Sequence, residues 1–192
     1  CVEYTKLMKI TCITGIQHKA DKTAQLLVRQ ISHEKVDLDE LQTTNLSELA
    51  EHKVRQAYEK LQRPVMVDDY GLGFDSLNGL PGLFIKFFIE AEDGLEKLCR
   101  IVDVLDNKRR AYTKTVIAFY DGTTLKVFEK VLHGCIADHP VGTNGIHTDQ
   151  IFMPDGYGGK TRAQLNDEEY DEVYKKVRPL NELKEFLDEH YR

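Results

Sequence analysis

The sequence contains no tryptophan, and its four cysteines, at positions 1, 12, 99 and 135, form no CxxC pair. Unpaired spacing of this kind leaves neither a thiolate zinc site nor a disulfide framework to be expected. Cys12 and Cys135 stand in apolar stretches, where a thiol packs as a small hydrophobe. No apolar run nears the roughly 20 residues of a membrane-crossing helix, and the start lacks the basic-then-apolar layout of a signal peptide. The expectation is a cytoplasmic protein with no membrane partner. Basic residues are in short supply, 26 Lys and Arg against 32 Asp and Glu, for a net charge of −6. A polymeric nucleic acid needs a basic stripe to neutralise its phosphates, so that partner is not expected, whereas a small anionic ligand is allowed. The seven histidines form no HExxH pair, and no Ser or Cys lies in a nucleophile-elbow pattern, which disfavours zinc hydrolysis and covalent catalysis. The chain begins at Cys1 rather than Met, as a trimmed chain, a processed product or a piece of a longer polypeptide would.

What is present is apolar mass, 41% of 192 residues, enough for one sizeable core in one domain or two closely packed lobes. The first third alternates strand and helix signals. LMKITCIT (7–14) reads as a strand, a helical pattern runs from about Ala20 to Ile31, and EKVDLD (34–39) reads as a second strand. A second helix carries Ala50, Val54, Ala57, Tyr58 and Leu61 on one face, and PVMV (64–67) reads as a short buried strand. Strands separated by amphipathic helices predict crossover units and a mainly parallel sheet. The glycine-punctuated DDYGLGFDSLNGLPG (68–82) predicts turns and a cleft wall before FIKFFIEA starts another helix. Residues 110–120 and 125–134 flank Asp121-Gly122-Thr123-Thr124, a hairpin signal, and predict an antiparallel arm forming a second lobe. In the charged tail Leu180, Leu183 and Leu187 share a helical face.

Three places can carry chemistry. The first strand ends in Thr14-Gly15, and a helix opens shortly after, with Lys19 near its first turn. Such a turn offers unpaired N–H groups and a positive dipole end to an anion, although an ordinary βα turn has the same look. Asp68 and Asp69 follow the strand PVMV directly, at a strand end where ligands of open α/β sheets sit. They can hold Mg²⁺, an ion that takes one or two protein carboxylates plus substrate phosphates, or they can form a solvated acidic turn. Glu40 can reach the same sheet edge if the strands are parallel. Lys53 borders the apolar stripe of the second helix, either snorkelling or reaching over the sheet edge to a phosphate. Acids and lysines around one edge suit Mg²⁺-assisted attack of water on a phosphate.

PVMVDDYGLGFDSLNGLPGLFIKFF (64–88) resembles the signature segment of the inosine triphosphate pyrophosphatase family, also called HAM1. KVDLDELQ (35–42), HKVRQAYEKL (52–61) and IFMPDGYGGKTRAQL (151–165) match in the same order, so the resemblance covers nearly the whole chain. It implies a single domain over 1–192 with an elongated, two-lobed α/β fold: a central mixed sheet flanked by helices, an active-site cleft between the lobes, and no separable linker. It implies a homodimer and Mg²⁺-dependent hydrolysis of a nucleoside triphosphate such as ITP, dITP or XTP to the monophosphate and pyrophosphate. By position, Thr14, Gly15, Ile16 and Lys19 correspond to the phosphate loop, and Glu40 and Asp69 to the metal-binding carboxylates. Asp69 is also the expected proton acceptor, Asp68 its support, Lys53 the phosphate neutraliser and Tyr70 a substrate contact.

The base-recognition half departs from the family pattern. Ile16 stands where the phosphate loop has Asn. Ile146-His147-Thr148-Asp149-Gln150 replaces an FGWDP or FGYDP segment and keeps only the aspartate. Tyr170 replaces a lysine, and Tyr174-Lys175-Lys176 replaces an SHR motif. Stacking of a base on an aromatic ring is worth about 1 to 3 kcal/mol, which isoleucine does not supply. His147, Tyr170, Lys175 and Lys176 are the candidates for replacing those contacts. The resemblance therefore implies intact phosphate chemistry with an altered base preference. The alternative is a nucleotide-binding protein of the same fold with catalysis lost or greatly reduced.

Overall fold

A computed structural model describes residues 8–15, 17–104 and 109–191. Strand β1 (Ile10–Ile13) is buried along its whole length, as an apolar, partly β-branched run becomes when it lies between two neighbours with both faces covered. β2 (Ile31–Glu34) and β3 (Val65–Phe74) flank it, both parallel to it, with Ile13 opposite Glu34 on one side and Val67 on the other. Helix α1 (Gln17–Leu27) joins β1 to β2, and α2 (Leu46–Leu61) leads into β3. α2 buries Leu46, Leu49, Ala50, Val54 and Ala57. Its first turn is capped by Asn45, whose side chain accepts from the N–H groups of Ser47 and Glu48, and Gln62 ends it in the left-handed region.

The second strand lies earlier than the spacing predicts. Residues 34–39 were expected to be extended, yet the helix stops at Leu27, Val28 turns left-handed at φ 53°, and Ile31 to Glu34 pair with β1. Edge pairing with β1 outweighs the helical periodicity that reached Ile31. Similarly, β3 does not end at Val67 but runs on through Gly71 and Gly73 to Phe74, ten residues in all. Those glycines make close approaches rather than turns: a Cβ on Gly73 would lie 2.7 Å from the Tyr112 ring, and one on Gly71 3.0 Å from the Gly82 backbone. The turn comes later, at Asp75–Leu77 with Asn78 left-handed, and it returns the chain as β4 (Pro81–Gly82) against Leu72 and Gly73.

Helices α3 (Ile85–Ile89) and α4 (Gly94–Ile101) follow, the latter unforeseen, then β5 (Arg110–Tyr120), β6 (Leu125–Ile136) and β7 (Phe152–Pro154). α5 (Asp167–Val177) and α6 (Leu180–His190) close the chain. The mixed sheet has the order β2-β1-β3-β5-β6-β7, with β4 on β3, and helices flank it. Among the described residues no helix is long and apolar enough to cross a membrane, and Cys12, Cys99 and Cys135 are free thiols.

The chain divides into two compact units. The first holds residues up to Asp69, then Val116–Glu129 and Pro179–Arg192; the second holds Tyr70–Thr115 and Lys130–Arg178. The second unit has its own core of Leu72, Phe74, Ile85, Leu98, Ile151 and Phe152 with their neighbours. The hairpin expected to make a second lobe is divided, because its tip belongs to the first unit. Tyr120 meets Tyr58 edge-on at 5.0 Å under the Arg55 guanidinium, and Tyr191 donates to Asp121 at 2.8 Å. Gly122 is what allows that docking: its φ is 97°, and a Cβ there would lie 2.1 Å from the Tyr58 oxygen. Gly122→Ala is expected to lose about 2 kcal/mol or more, from left-handed strain plus displacement of the tyrosine, measured by chemical denaturation.

Candidate active site

The register of the first unit sets the site. Ile13 lies opposite Val67, so the residues that follow, Thr14-Gly15 and Asp68-Asp69, emerge side by side, and β2 releases its chain at the same edge after Glu34. The carboxyl ends of parallel strands are where an open α/β sheet leaves a crevice; β1 and β2 end here, whereas β3 runs on to Phe74, so the two acids lie inside a strand and not at its end as expected. The crevice is a cavity of about 230 Å³ whose lining includes Thr14, Gly15, Lys35, Glu40, Lys53 and Asp69.

Helix α2 holds Lys53 beside its buried stripe and delivers the ammonium to Asp69, where Nζ donates to Oδ1 at 2.7 Å. Both side chains keep a little solvent contact, 18% and 16%. Lys19 donates to the Asp68 backbone oxygen at 3.4 Å and lies 3.7 Å from Asp68 Oδ1, whose side chain is 2% exposed. The other oxygen of Asp69, Oδ2, is buried with no hydrogen-bond partner. Burial pushes the Asp69 carboxyl above its ordinary pKa, Lys53 only partly opposes this, and the neighbouring charge of Asp68 adds to it. Beneath them burial, followed by Asp68, raises the Cys12 thiol to about 12, so this cysteine is packing and not a nucleophile.

Among the described residues no three His, Cys, Asp or Glu side chains gather into a metal cage. The donors that are present, a buried unpartnered Asp69 oxygen and Glu40 on the same cavity, instead fit an ion that takes few protein carboxylates and completes its shell with water and substrate oxygens. Of the expected residues, Thr14, Gly15, Glu40, Lys53 and Asp69 thus line one cavity, whereas Lys19 and Asp68 pair with each other and do not line it. Ile16 lies outside the described residues.

The residues expected on the base side form a second constellation, within the second unit. Tyr70 and Thr148 share a hydrogen bond of 3.0 Å. Asp149 is fully engaged by protein: Oδ1 meets Arg162 Nη1 at 2.8 Å, and Oδ2 accepts from Ile146 N at 2.9 Å and from the Tyr170 hydroxyl at 2.8 Å. The Arg162–Asp149 pair is about 5% exposed, and the guanidinium lies 5.2 Å from the centre of the Tyr170 ring. Burial raises the Tyr70 hydroxyl to about 12, with Arg162 opposing, and it raises Tyr170 as well. Ile146 is half exposed, and His147 adopts a left-handed φ of 51° at the start of the turn that carries Thr148. Lys175 and Lys176 are not drawn in: both are exposed, and Lys176 bonds Tyr157 and pairs with Glu172. Tyr174 is buried under Arg178, at 4.0 Å.

Arg162 and Arg178 escaped the sequence reading. A single arginine in a polar segment reads as surface, and only its burial, 4% and 7% exposed here, reveals otherwise. His33, whose ring bonds Thr14, was missed because the pairing of β1 with β2 that sets it beside that carbonyl is not visible in the sequence.

A mixed sheet with two acid–lysine pairs, Asp68 with Lys19 and Asp69 with Lys53, in the first unit defines the class: an α/β protein with charged groups gathered where β1 and β2 end. The chain belongs to the Ham1 family, whose profile matches residues 10–186. It is 37% identical over 188 residues to an inosine triphosphate pyrophosphatase of Kluyveromyces lactis, covering 93% of this chain and 95% of that one. A dITP/XTP pyrophosphatase of Hyperthermus butylicus is 34% identical over 148 residues, 77% of this chain and 76% of its own. Among solved structures, a HAM1 protein from Coxiella burnetii superposes with a TM-score of 0.84 at 25% identity, covering 95% of this chain and all of that one. Membership of such a family generally implies a divalent metal.

Proposed function

We propose that this protein is a Mg²⁺-dependent nucleoside triphosphate pyrophosphatase acting on ITP, dITP or XTP, releasing the monophosphate and pyrophosphate, with a base preference altered from its relatives. The observation that carries the reading is the buried, unpartnered Oδ2 of Asp69, held by Lys53 at its other oxygen on a cavity that Thr14, Gly15 and Glu40 also line. The relatives' names and the family match support the substrate class.

Glu40 and Asp69 would hold the metal, which when bound supplies positive charge to the phosphate oxygens. The remaining work belongs to the chain. Lys53 locks Oδ1 of Asp69 and aims Oδ2, which has two lone pairs: one would face the metal, and the other would accept the proton of a water attacking the α-phosphorus. Burial strengthens Asp69 as a base by raising its pKa. Lys19 and the N–H groups after Thr14 receive the departing pyrophosphate, and Asp68 keeps Lys19 at the strand edge. Tyr70, Ile146, His147, Thr148, Asp149 and Tyr170 are assigned to the nucleoside side of the same reading; the exposed Lys175 and Lys176, expected there from the sequence, are not. The same reading includes one functional domain over the whole chain, homodimeric assembly as in the family it resembles, and a cytoplasmic location beside the nucleotide pool.

The engaged oxygens of Asp149 favour a second reading for that half: a changed base contact, or a nucleotide-binding protein that has lost turnover. One panel separates them. With Mg²⁺ present, pyrophosphate release from ITP, dITP or XTP above that from ordinary nucleotides is the expected result. Release from dUTP or another pyrimidine alone would move the base preference. Calorimetric binding without any release would establish the non-catalytic reading.

A further inference from the structure

His33 lies outside the acids and lysines of the site, yet its ring reaches the one backbone carbonyl on which the phosphate turn pivots. Nε2 is 2.6 Å from the oxygen of Thr14. Thr14 also donates its own N–H to the Glu34 carbonyl, at 3.2 Å, which is the last rung between β1 and β2. In a parallel ladder the next rung would carry the Thr14 carbonyl to a backbone N–H two residues beyond Glu34. β2 ends at Glu34, and the imidazole N–H takes that carbonyl instead. A carbonyl oxygen can only accept, so the ring presents Nε2–H.

The consequence follows from peptide planarity. The Thr14 carbonyl and the Gly15 N–H belong to one rigid plane and point in opposite directions. A donor that holds the oxygen toward β2 turns the Gly15 N–H away from β2. Gly15 needs such a restraint more than most residues, because nothing lies within 4 Å of where its Cβ would be and glycine has no side chain to limit its rotation.

We infer that His33 is a positioning residue for polyphosphate recognition: its ring N–H fixes the Thr14–Gly15 peptide so that the Gly15 N–H is presented to the phosphates of the substrate. This rests on the function proposed above. The interaction is made equally by bound triphosphate and by the pyrophosphate product. Losing it should therefore weaken phosphate binding without slowing the chemical step, since Asp69 and Lys53 are untouched.

The test measures KM and kcat for the best nucleotide of the panel, pyrophosphate affinity by calorimetry, and the melting temperature, for wild type, His33→Phe, His33→Asn and His33→Gln. Gln carries its N–H at the reach of Nε2, whereas Asn stops short at the reach of Nδ1. The expected result is KM raised about tenfold in His33→Phe and His33→Asn, with pyrophosphate affinity reduced in step, kcat within about threefold and melting unchanged, and with His33→Gln close to wild type. Should His33→Phe fail to fold, the Asn and Gln pair decides the matter, because both keep a polar side chain and differ in reach. Wild-type KM in His33→Asn would overturn the inference, as would an equal loss in His33→Gln, or a fall in kcat with KM intact. A wild-type protein that neither releases nor binds pyrophosphate would instead overturn the proposed function, and this inference with it.

Discussion

Asp69→Asn is expected to lower pyrophosphate release by about 10²- to 10⁴-fold, the range for removing a positioned general base. The asparagine still offers an oxygen to Lys53, so the cavity should keep its shape while its base is gone. The same substitution has a second, opposite effect on stability. Burial raises the folded-state pKa of Asp69 above 3.8, so the folded protein binds the proton more tightly than the unfolded chain does. The free energy of unfolding therefore falls as pH rises from 3.8 through that raised value, and the full cost of the buried charge is present above it. Without metal at neutral pH, Asp69→Asn should melt no lower than wild type, and any advantage should shrink as the pH drops toward 3.8. Loss of release together with a collapsed melting temperature would mean that Asp69 holds the fold and not the chemistry. Added Mg²⁺ should raise the melting temperature of wild type more than that of the variant, because an ion bound only by the folded form stabilises it by mass action.

Asp149→Ala is expected to destabilise the protein by about 3 to 5 kcal/mol, the cost of breaking a buried ion pair from one side. Removing the carboxylate strands the Arg162 guanidinium, which is about 5% exposed and whose Nε already lacks a partner. It also leaves the Ile146 N–H and the Tyr170 hydroxyl without their acceptor. Tyr170→Phe, which removes only one of those donors, should cost about 1 kcal/mol. Joint replacement by Asp149→Leu and Arg162→Met should cost clearly less than Asp149→Ala, because no charge is then left alone. Denaturation curves of the four proteins check the series. A loss below about 1 kcal/mol for Asp149→Ala would show that the pair is solvated in solution.

The two constellations, one in each unit, were legible to different degrees. In the first unit the acids follow an apolar strand, the lysines sit at fixed offsets on predicted helices, and Thr14-Gly15 closes a strand, so chain order alone marks one sheet edge. In the second unit the sequence shows changed letters, Ile146, His147 and Tyr170, without showing what they touch. Tyr170 reaches Asp149 because Gly145, at φ 71°, has no Cβ in the way; one there would lie 2.6 Å from the Tyr170 oxygen. Arg162 is invisible for a related reason: its charge reads as solvated until the fold supplies a buried carboxylate. Strand limits failed where pairing overruled local preference, at Ile31–Glu34 and in the glycine-bearing stretch of β3.

The absences at the outset, of paired cysteines, of a long apolar run and of excess positive charge, are properties of the order and number of residues, and both are set before folding. Together with the order of the motifs they determine the family, the strand-and-helix alternation and the phosphate-edge residues, because each depends on spacing along the chain. Only the tertiary structure decides which side chains are dry. A carboxylate is an ordinary surface group until neighbours strip its water. Burial is what gives Asp69 an unpartnered basic oxygen and binds Asp149 to Arg162, and the pairing of β1 with β2 is what brings His33 to the carbonyl of Thr14.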